Sequence, residues 1–334
     1  MNQNWPFYEP DICMNKEYAL YKMIPVMKKW MVFLLSFMLV SCVRTFQPIA
    51  SMSEDLKVMS WNIGHKGKYA SEFHKVCESV VGVVKSTGTD ILLLVEAYGA
   101  DRDIAEKLDF YCETLSGNLT VLSKYPIEGI YNFRDKISSS NFGGVLLNVN
   151  GRLVRIFNVW LNDQPDISFV PTYYDVQRII AWEKTGRRDE DISIILNLLR
   201  PYISEKDEIP IIVGGYFNSH SYLDWTEDTK YMFQHNGAVV DWPVSRSMAN
   251  HGFIDSFRQI NPDPITNLGV TWMYADSLAI REDRIDYIYY QGKHLEVVES
   301  DSYYAPIGKD LYMKGKYYFY GSDHGFVLTT FKYK

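Results

Sequence analysis

Between Asp90 and Glu96 the chain reads Ile-Leu-Leu-Leu-Val, five large apolar residues with no polar partner alternating among them. A strand with one face in water alternates apolar and polar residues, so an unbroken run this short fits a strand covered on both faces, inside a sheet layered with other elements. Ile211-Ile212-Val213-Gly214-Gly215 makes the same demand and then leaves abruptly through Gly-Gly into Tyr216-Phe217-Asn218. Two glycines after a buried strand mark a sharp exit of the kind that presents side chains at a sheet edge.

Around these runs the pattern alternates. Lys57–Trp61 is expected as a strand, and Ser71–Ser86 as a helix whose Phe73, Val76, Cys77, Val80, Val81 and Val84 recur at three-and-four spacing. A second helix is expected over Asp101–Leu108. From Tyr111 to Leu161 successive strands follow: Leu119–Ser123, Ile127–Phe133, Gly144–Asn148 and Leu153–Leu161. One long helical stretch, Tyr174–Ile203, precedes the Ile211 strand. Loops and strands such as Arg284–Tyr289 and Gly325–Leu328 complete the chain. No Pro/Gly/Ser-rich linker or fixed-period repeat interrupts residues 56–334, which are expected to form one α/β sandwich domain.

The first 55 residues have a different character. From Met27 two lysines precede an apolar run from Trp30 to Val40, then Ser41-Cys42. That is the n-region and h-region of an export signal, shorter than the roughly 20 residues of a membrane span. Its ending resembles the lipobox of bacterial lipoproteins, in which the cysteine is lipid-modified. Residues 1–41 are therefore expected as leader and signal, Cys42 as a lipid anchor, and residues 42–55 as a linker. The protein is expected in the bacterial cell envelope, exported, anchored to the membrane through Cys42, and monomeric. Cys77 and Cys112 remain, either a disulfide or two buried thiols.

A net charge of -7 argues against a protein that coats nucleic acid, which depends on many Lys and Arg contacts to phosphate. It does not exclude an enzyme that holds one phosphate at a metal. Polar groups capable of this stand at strand ends along the whole chain: Trp61-Asn62, Glu96, Asn158-Val159-Trp160-Leu161, Gly215-Tyr216-Phe217-Asn218, Arg284-Ile285-Asp286-Tyr287 and Ser322-Asp323-His324. Side chains gathered from strand ends are how α/β folds build a site. A hard divalent cation takes carboxylate and amide oxygens. A histidine beside a carboxylate favours imidazolium, a partner for developing negative charge on phosphorus.

Taken in order, together with Asp255–Arg258 and Gly269–Trp272, these segments resemble the endonuclease/exonuclease/phosphatase superfamily, the deoxyribonuclease I-like proteins. The resemblance implies a four-layer α-β-β-α sandwich, two packed mixed sheets with helices outside, and phosphoester cleavage with Mg²⁺ or Mn²⁺. By position it implies Glu96 as principal metal ligand with Asn62 beside it, and Asp323 as a further metal ligand or acid. His324 is implied as the phosphate-contacting imidazole, Asp286 as the carboxylate that orients it, and Asn218 as the amide that positions phosphate or water. Two departures stand out. Tyr216 occupies the place of the acid in the usual Gly-Asp-Phe-Asn, and Trp160 the place of a histidine that contacts phosphate.

An ordinary tyrosine titrates near 10 and an indole offers one N–H and no charge, so the departures point to weakened turnover. Losing one general acid or base costs ~10²–10⁴ in rate. His220, Asp163 or Asp166 are candidate replacement bases and His65 a further contact, or the ion's own water attacks unaided. The alternative is a catalytically inactive envelope protein that binds a phosphorylated or anionic ligand in the retained cleft. The lysine- and tyrosine-rich stretch Tyr303–Tyr320 is either a substrate contact or an outer strand. The substrate is expected to be a phosphoester. Nucleic acid, lipid headgroup and sugar phosphate stay unranked, while the cysteine signature of inositol-phosphate phosphatases is absent around Arg284–Asp286.

Overall fold

A computed structural model describes residues 55–64, 73–116, 118–133, 136–137, 140–167, 170, 175–275 and 280–334, all within one compact unit, Ser53–Lys334. The leader, the signal segment with Cys42, and His65 lie outside the described residues.

The first half contains β1 (Asp55–Asn62), α1 (Phe73–Thr87), β2 (Ile91–Val95), α2 (Asp101–Leu108), β3 (Tyr111–Ser116), β4 (Leu119–Ser123), β5 (Ile127–Asn132), β6 (Asn141–Val149) and β7 (Arg152–Trp160). Then come α3 (Val176–Lys184), α4 (Arg188–Ser204), β8 (Ile211–Tyr216), α5 (Pro243–Asn250), β9 (Ile254–Asp255) and α6 (Ser256–Ile260). The last part is all strand: β10 (Trp272–Ala275), β11 (Ile280–Asp283), β12 (Asp286–Gln291), β13 (Leu295–Tyr303), β14 (Lys309–Met313), β15 (Lys316–Tyr320) and β16 (Phe326–Tyr333).

Two six-stranded mixed sheets form, ordered β13-β16-β1-β2-β4-β3 and β5-β6-β7-β8-β12-β9. Between them lies a core of Leu56, Val58, Ile91, Leu93 and Val95 from one sheet against Val145, Ile156, Ile212 and Ile288 from the other. The strand period sends the alternate residues outward. Met59, Trp61, Leu92 and Leu94 meet Val76, Val80, Val84 and Ile104 of α1 and α2. Phe157, Val159, Ile211 and Val213 meet Ile192, Ile195 and Leu199 of α4 on the far side. Both faces of β2 and β8 are thus covered, which is why those segments carry no polar alternation, and the layers run helix, sheet, sheet, helix.

Gly214 and Gly215 have separate physical reasons. A Cβ on Gly214 would lie 2.5 Å from Leu93 Cδ1 of the facing sheet, so the sheets approach too closely there for any side chain. Gly215 has φ 137°, and a Cβ on it would sit 2.1 Å from the Val159 carbonyl oxygen.

The expected helix over Tyr174–Ile203 is instead two, α3 and α4, broken at Thr185–Arg187. Arg187 has φ 58°, and a Cβ on Gly186 would fall 1.8 Å from the Gln164 carbonyl oxygen. The break seats this corner on the loop that follows β7. Across it Arg188 reaches back to Glu183, both 0% exposed, with Nη2–Oε2 at 2.6 Å and Nε–Oε1 at 3.1 Å. Cys77 and Cys112 are free thiols, and burial pushes both up to about 11.

Candidate active site

β1 runs parallel to β2, and β7 runs parallel to β8, so Asn62, Glu96, Trp160 and Tyr216 all emerge at strand C-terminal ends. β12 runs antiparallel to β8 with Asp286 opposite Tyr216, and β16 runs antiparallel to β1 with Phe326 opposite Trp61. The start of β12 and the turn before β16 therefore reach the same pole. Ser322 ties that turn to the end of β1: its hydroxyl donates to the Asn62 carbonyl at 2.7 Å and accepts the His324 amide at 3.0 Å.

The expected metal ligands converge on one point. From where a Cβ would stand on Gly64, Asn62 Oδ1 is 3.1 Å away, Glu96 Oε2 3.2 Å and Asp323 Oδ1 3.5 Å. Glycine keeps that space open. Asn62 Oδ1 accepts the Gly64 amide at 2.8 Å, and Asn62 Nδ2 donates to Glu96 Oε1 at 3.4 Å. Glu96 holds φ 58° and Asn218 φ 50°, left-handed positions that cost a non-glycine residue energy and that cluster at functional sites. Among the described residues no group of three or more His, Cys, Asp and Glu gathers as an ion site. Two carboxylates and an amide instead suit a hard cation that keeps several waters, as Mg²⁺ does, and do not suit a thiolate–imidazole zinc site.

Next to this cradle His324 Nδ1 stands 2.9 Å from Asp286 Oδ2, with both residues buried. Burial lowers the imidazole's affinity for a proton, but Asp286, and after it Asp323 and Glu96, outweigh that and push its pKa up to about 9. The Thr271 hydroxyl accepts the amides of Ile285 and Asp286 at 3.0 and 3.1 Å, which fixes the start of β12. Tyr216 packs edge-on against the His324 ring, centroids 4.4 Å apart. Its hydroxyl donates to Asn218 Oδ1 at 2.9 Å, and Asn218 Nδ2 donates to the Asn162 carbonyl at 3.0 Å. Burial first, then Asp286, Asp323 and Glu96, raise the Tyr216 phenol well above its ordinary value.

A cleft of about 310 Å³ opens here, lined by Glu96, Asp323, His324, Tyr216, Asn218 and Trp160 among the expected residues. Asp163 and Asp166 line it too, with Gln164, Ile167 and Trp272. Arg188 holds this wall from beneath: Nη1 donates to the carbonyls of Asn162, Gln164 and Pro165 at 3.1, 3.2 and 3.1 Å. Ser219 Oγ donates to Glu183 Oε1 at 2.8 Å and joins the strand-exit loop to the same pair.

Other expectations fall elsewhere. His220 does not line the cleft; it is buried against Trp225 and Trp242, with Nδ1 3.1 Å from Asp283 Oδ1, so it is no replacement base. Arg284, Asp255 and Arg258 form a buried network with Asp224, at 2.6 Å for Arg258–Asp224 and Arg284–Asp255. The tyrosine-rich stretch forms the β14–β15 hairpin, none of which lines the cleft, and Tyr318 rests on Gly82 of α1. Trp272 ends the Gly269–Trp272 stretch that is part of the resemblance, whereas the loop residues Gln164 and Ile167 carry no signal in the sequence.

Residues 59–324 match the model of the Endonuclease/Exonuclease/phosphatase family. A Caenorhabditis elegans relative, uncharacterized protein F14F9.5, is 25% identical over 262 residues, covering 72% of this chain and 80% of its own. The crystal structure of TDP2 from C. elegans superposes with TM-score 0.55 at 18% identity, over 83% of this chain and 75% of that one. The human Nocturnin catalytic domain with bound sulfate anion gives 0.52 at 16% identity, over 84% and 95%. These structures share the fold.

Proposed function

The chain belongs to the endonuclease/exonuclease/phosphatase family, and from that premise we propose that it is a divalent-metal-dependent phosphoester hydrolase whose turnover is weakened at two positions. The observation that carries this reading is the convergence of Asn62, Glu96 and Asp323 oxygens on the space above Gly64, beside the His324–Asp286 pair. Those three residues would hold Mg²⁺ or Mn²⁺, which when bound supplies positive charge to phosphate oxygens and acidifies water.

The chain's own groups do the rest. Asp286 accepts a hydrogen bond from Nδ1–H of His324, so the ring is held with its other nitrogen available to donate to a phosphate oxygen. Asn218 is fixed by Tyr216 and by the Asn162 carbonyl, leaving one N–H of its amide for substrate. Tyr216 does not serve as a base, because its phenol is raised far from neutral pH and its proton is engaged by Asn218. The missing carboxylate alone is worth ~10²–10⁴ in rate.

Hydrolysis of bis(p-nitrophenyl) phosphate with Mg²⁺ or Mn²⁺ tests the reading. Slow turnover that Glu96→Gln abolishes, and that Tyr216→Asp with Trp160→His raises, supports it; no turnover in any of these proteins refutes it. The buried Tyr216, whose phenol burial holds well above its ordinary pKa, favours a second reading, an inactive protein that holds an anionic ligand in the same cleft. Ligand affinity without turnover, in the restored variant as in the original, identifies that case.

We also propose export and lipid anchoring through Cys42, on the strength of the charged, apolar and Ser-Cys segments alone. Incorporation of labelled palmitate that Cys42→Ala removes is the expected result.

A further inference from the structure

We propose that the turn of the β14–β15 hairpin, with the end of α1 beside it, is a docking surface for an anionic phospholipid bilayer, seated so that the cleft faces away from the lipid. This rests on the anchoring proposed above and is independent of the hydrolytic reading.

The course of the hairpin fixes where its turn stands. It lies lengthwise on α1: Gly321, just past β15, packs on Val76, Tyr318 packs on Gly82, and Met313, next to the turn, has its sulfur 4.0 Å from the Ser86 hydroxyl. The turn at Lys314-Gly315 is therefore at the C-terminal end of α1. That end is joined to the beginning of β1, where Lys57 Nζ donates to the Thr87 carbonyl at 3.1 Å. Asn62, Glu96, Trp160 and Tyr216 emerge at the other ends of their strands, so turn and cleft occupy opposite poles.

The side chains at the turn suit a bilayer boundary. Leu311 and Met313 are buried in the layer that holds α1, and the strand period sends Tyr312 the other way. Tyr312 is 62% exposed and Tyr317 72%; they stand opposite each other in the ladder with ring centroids 4.9 Å apart. Two phenols held as a pair present apolar bodies and polar tips together, the property that gathers tyrosine where hydrocarbon meets water. Lys314 and Lys316 flank the turn and Lys85 lies in the last turn of α1, all three exposed. Such ammonium groups reach lipid phosphates while their stems cover apolar surface. Asp310, the acid of the hairpin, sits away from the turn, opposite Phe319.

The chain before β1 names the occupant. About 13 residues separate Cys42 from Asp55, where β1 enters at this same pole. Extended chain spans at most ~3.6 Å per residue, a reach of roughly 45 Å, so an anchor at Cys42 keeps this pole close to its bilayer. A surface held there needs little affinity of its own. Each lysine near an anionic membrane favours association about fivefold, and three supply on the order of 100-fold.

Amine acetylation, followed lysine by lysine by mass spectrometry, tests this on the full chain in buffer, with phosphatidylcholine vesicles, and with vesicles made anionic by phosphatidylglycerol. Lys85, Lys314 and Lys316 should react about fivefold or more slowly on the anionic vesicles than on the neutral ones. Lys184, exposed on α3 beside the corner that carries the cleft wall, should keep its rate. Sodium chloride at about 0.5 M should restore the reactivity, because it screens the attraction. Tyr312→Ser with Tyr317→Ser should remove most of the protection, with an unchanged urea midpoint showing that the fold is intact.

Equal protection on neutral and anionic vesicles overturns the proposal, as does protection that survives both serines or salt. Protection that appears in buffer as protein concentration rises assigns the hairpin to a second copy and overturns it too, and slowing of Lys184 to the same degree overturns the orientation. The Cys42→Ala chain keeps the two readings apart. Slow hairpin lysines there on anionic vesicles support the contact even where palmitate labelling fails; vesicle-bound protein whose hairpin lysines react as in buffer overturns the contact and leaves anchoring standing.

Discussion

Replacing Arg188 with methionine removes the charge that faces Glu183 inside the protein. Both side chains are 0% exposed, and the guanidinium makes a two-point contact with the carboxylate while satisfying the carbonyls of Asn162, Gln164 and Pro165. Methionine fills similar volume but donates nothing. Among the described residues Glu183 keeps the Ser219 hydroxyl, and three loop carbonyls lose a donor. Breaking a buried pair by removing one partner costs about 3–5 kcal/mol, a large part of the roughly 5–15 kcal/mol that holds a domain together. Replacing both residues by apolar ones leaves no stranded charge, so Arg188→Met combined with Glu183→Met should be less destabilised than the sum of the single changes. Urea unfolding of the single and double variants measures this. Native Trp160 emission should shift in Arg188→Met, because the wall beside it loses its anchor. An Arg188→Met protein within about 1 kcal/mol of the original, or additive single effects, would refute the idea that this pair clamps the wall.

Two further outcomes are expected. Gly64→Ala puts a methyl group 3.1–3.5 Å from three oxygens of the cradle, so Mn²⁺ affinity measured by calorimetry should fall about 10–100-fold, as when a ligand's surroundings are disturbed, with little loss of stability. Burial holds His235, stacked on Trp225, down at about 4, so it folds neutral. The unfolded chain then binds more protons between its ordinary pKa near 6.5 and that value, and stability should fall by up to ~3 kcal/mol on acidification from about pH 6.5 to 4. A His235→Phe variant should lack that slope in urea titrations at several pH values.

Much of the molecule was legible from pattern alone. The β2 and β8 runs declared a layered sheet, and the polar residue after each strand declared a site, because alternation and its absence record which faces are covered. The α3–α4 corner was not legible as such. Its apolar spacing lapses between Trp182 and Ile192, but what seats the corner is a carbonyl oxygen more than twenty residues upstream, which no local signal encodes. The same limit explains His220. Next to the Gly-Gly exit it looked available to the cleft, yet it turns inward to Trp225 and to Trp242 and Asp283, the last two distant in sequence. Arg284 and Asp255 lie in the motifs that carried the resemblance, but they support the site by packing, through Asp224, instead of entering it.

Asn62 and His324, at opposite ends of the folded segment, are stitched to one another through the Ser322 hydroxyl. The pole that carries the cleft is thereby a closure point for the polypeptide, and its assembly doubles as a readout of complete folding. The turn at Asn150–Gly151 lies at the other end of the nine-residue β7 from Trp160. New termini cut there, with the native ends joined by a flexible tether, would leave every cleft residue in place while reversing the order in which the two halves emerge during synthesis.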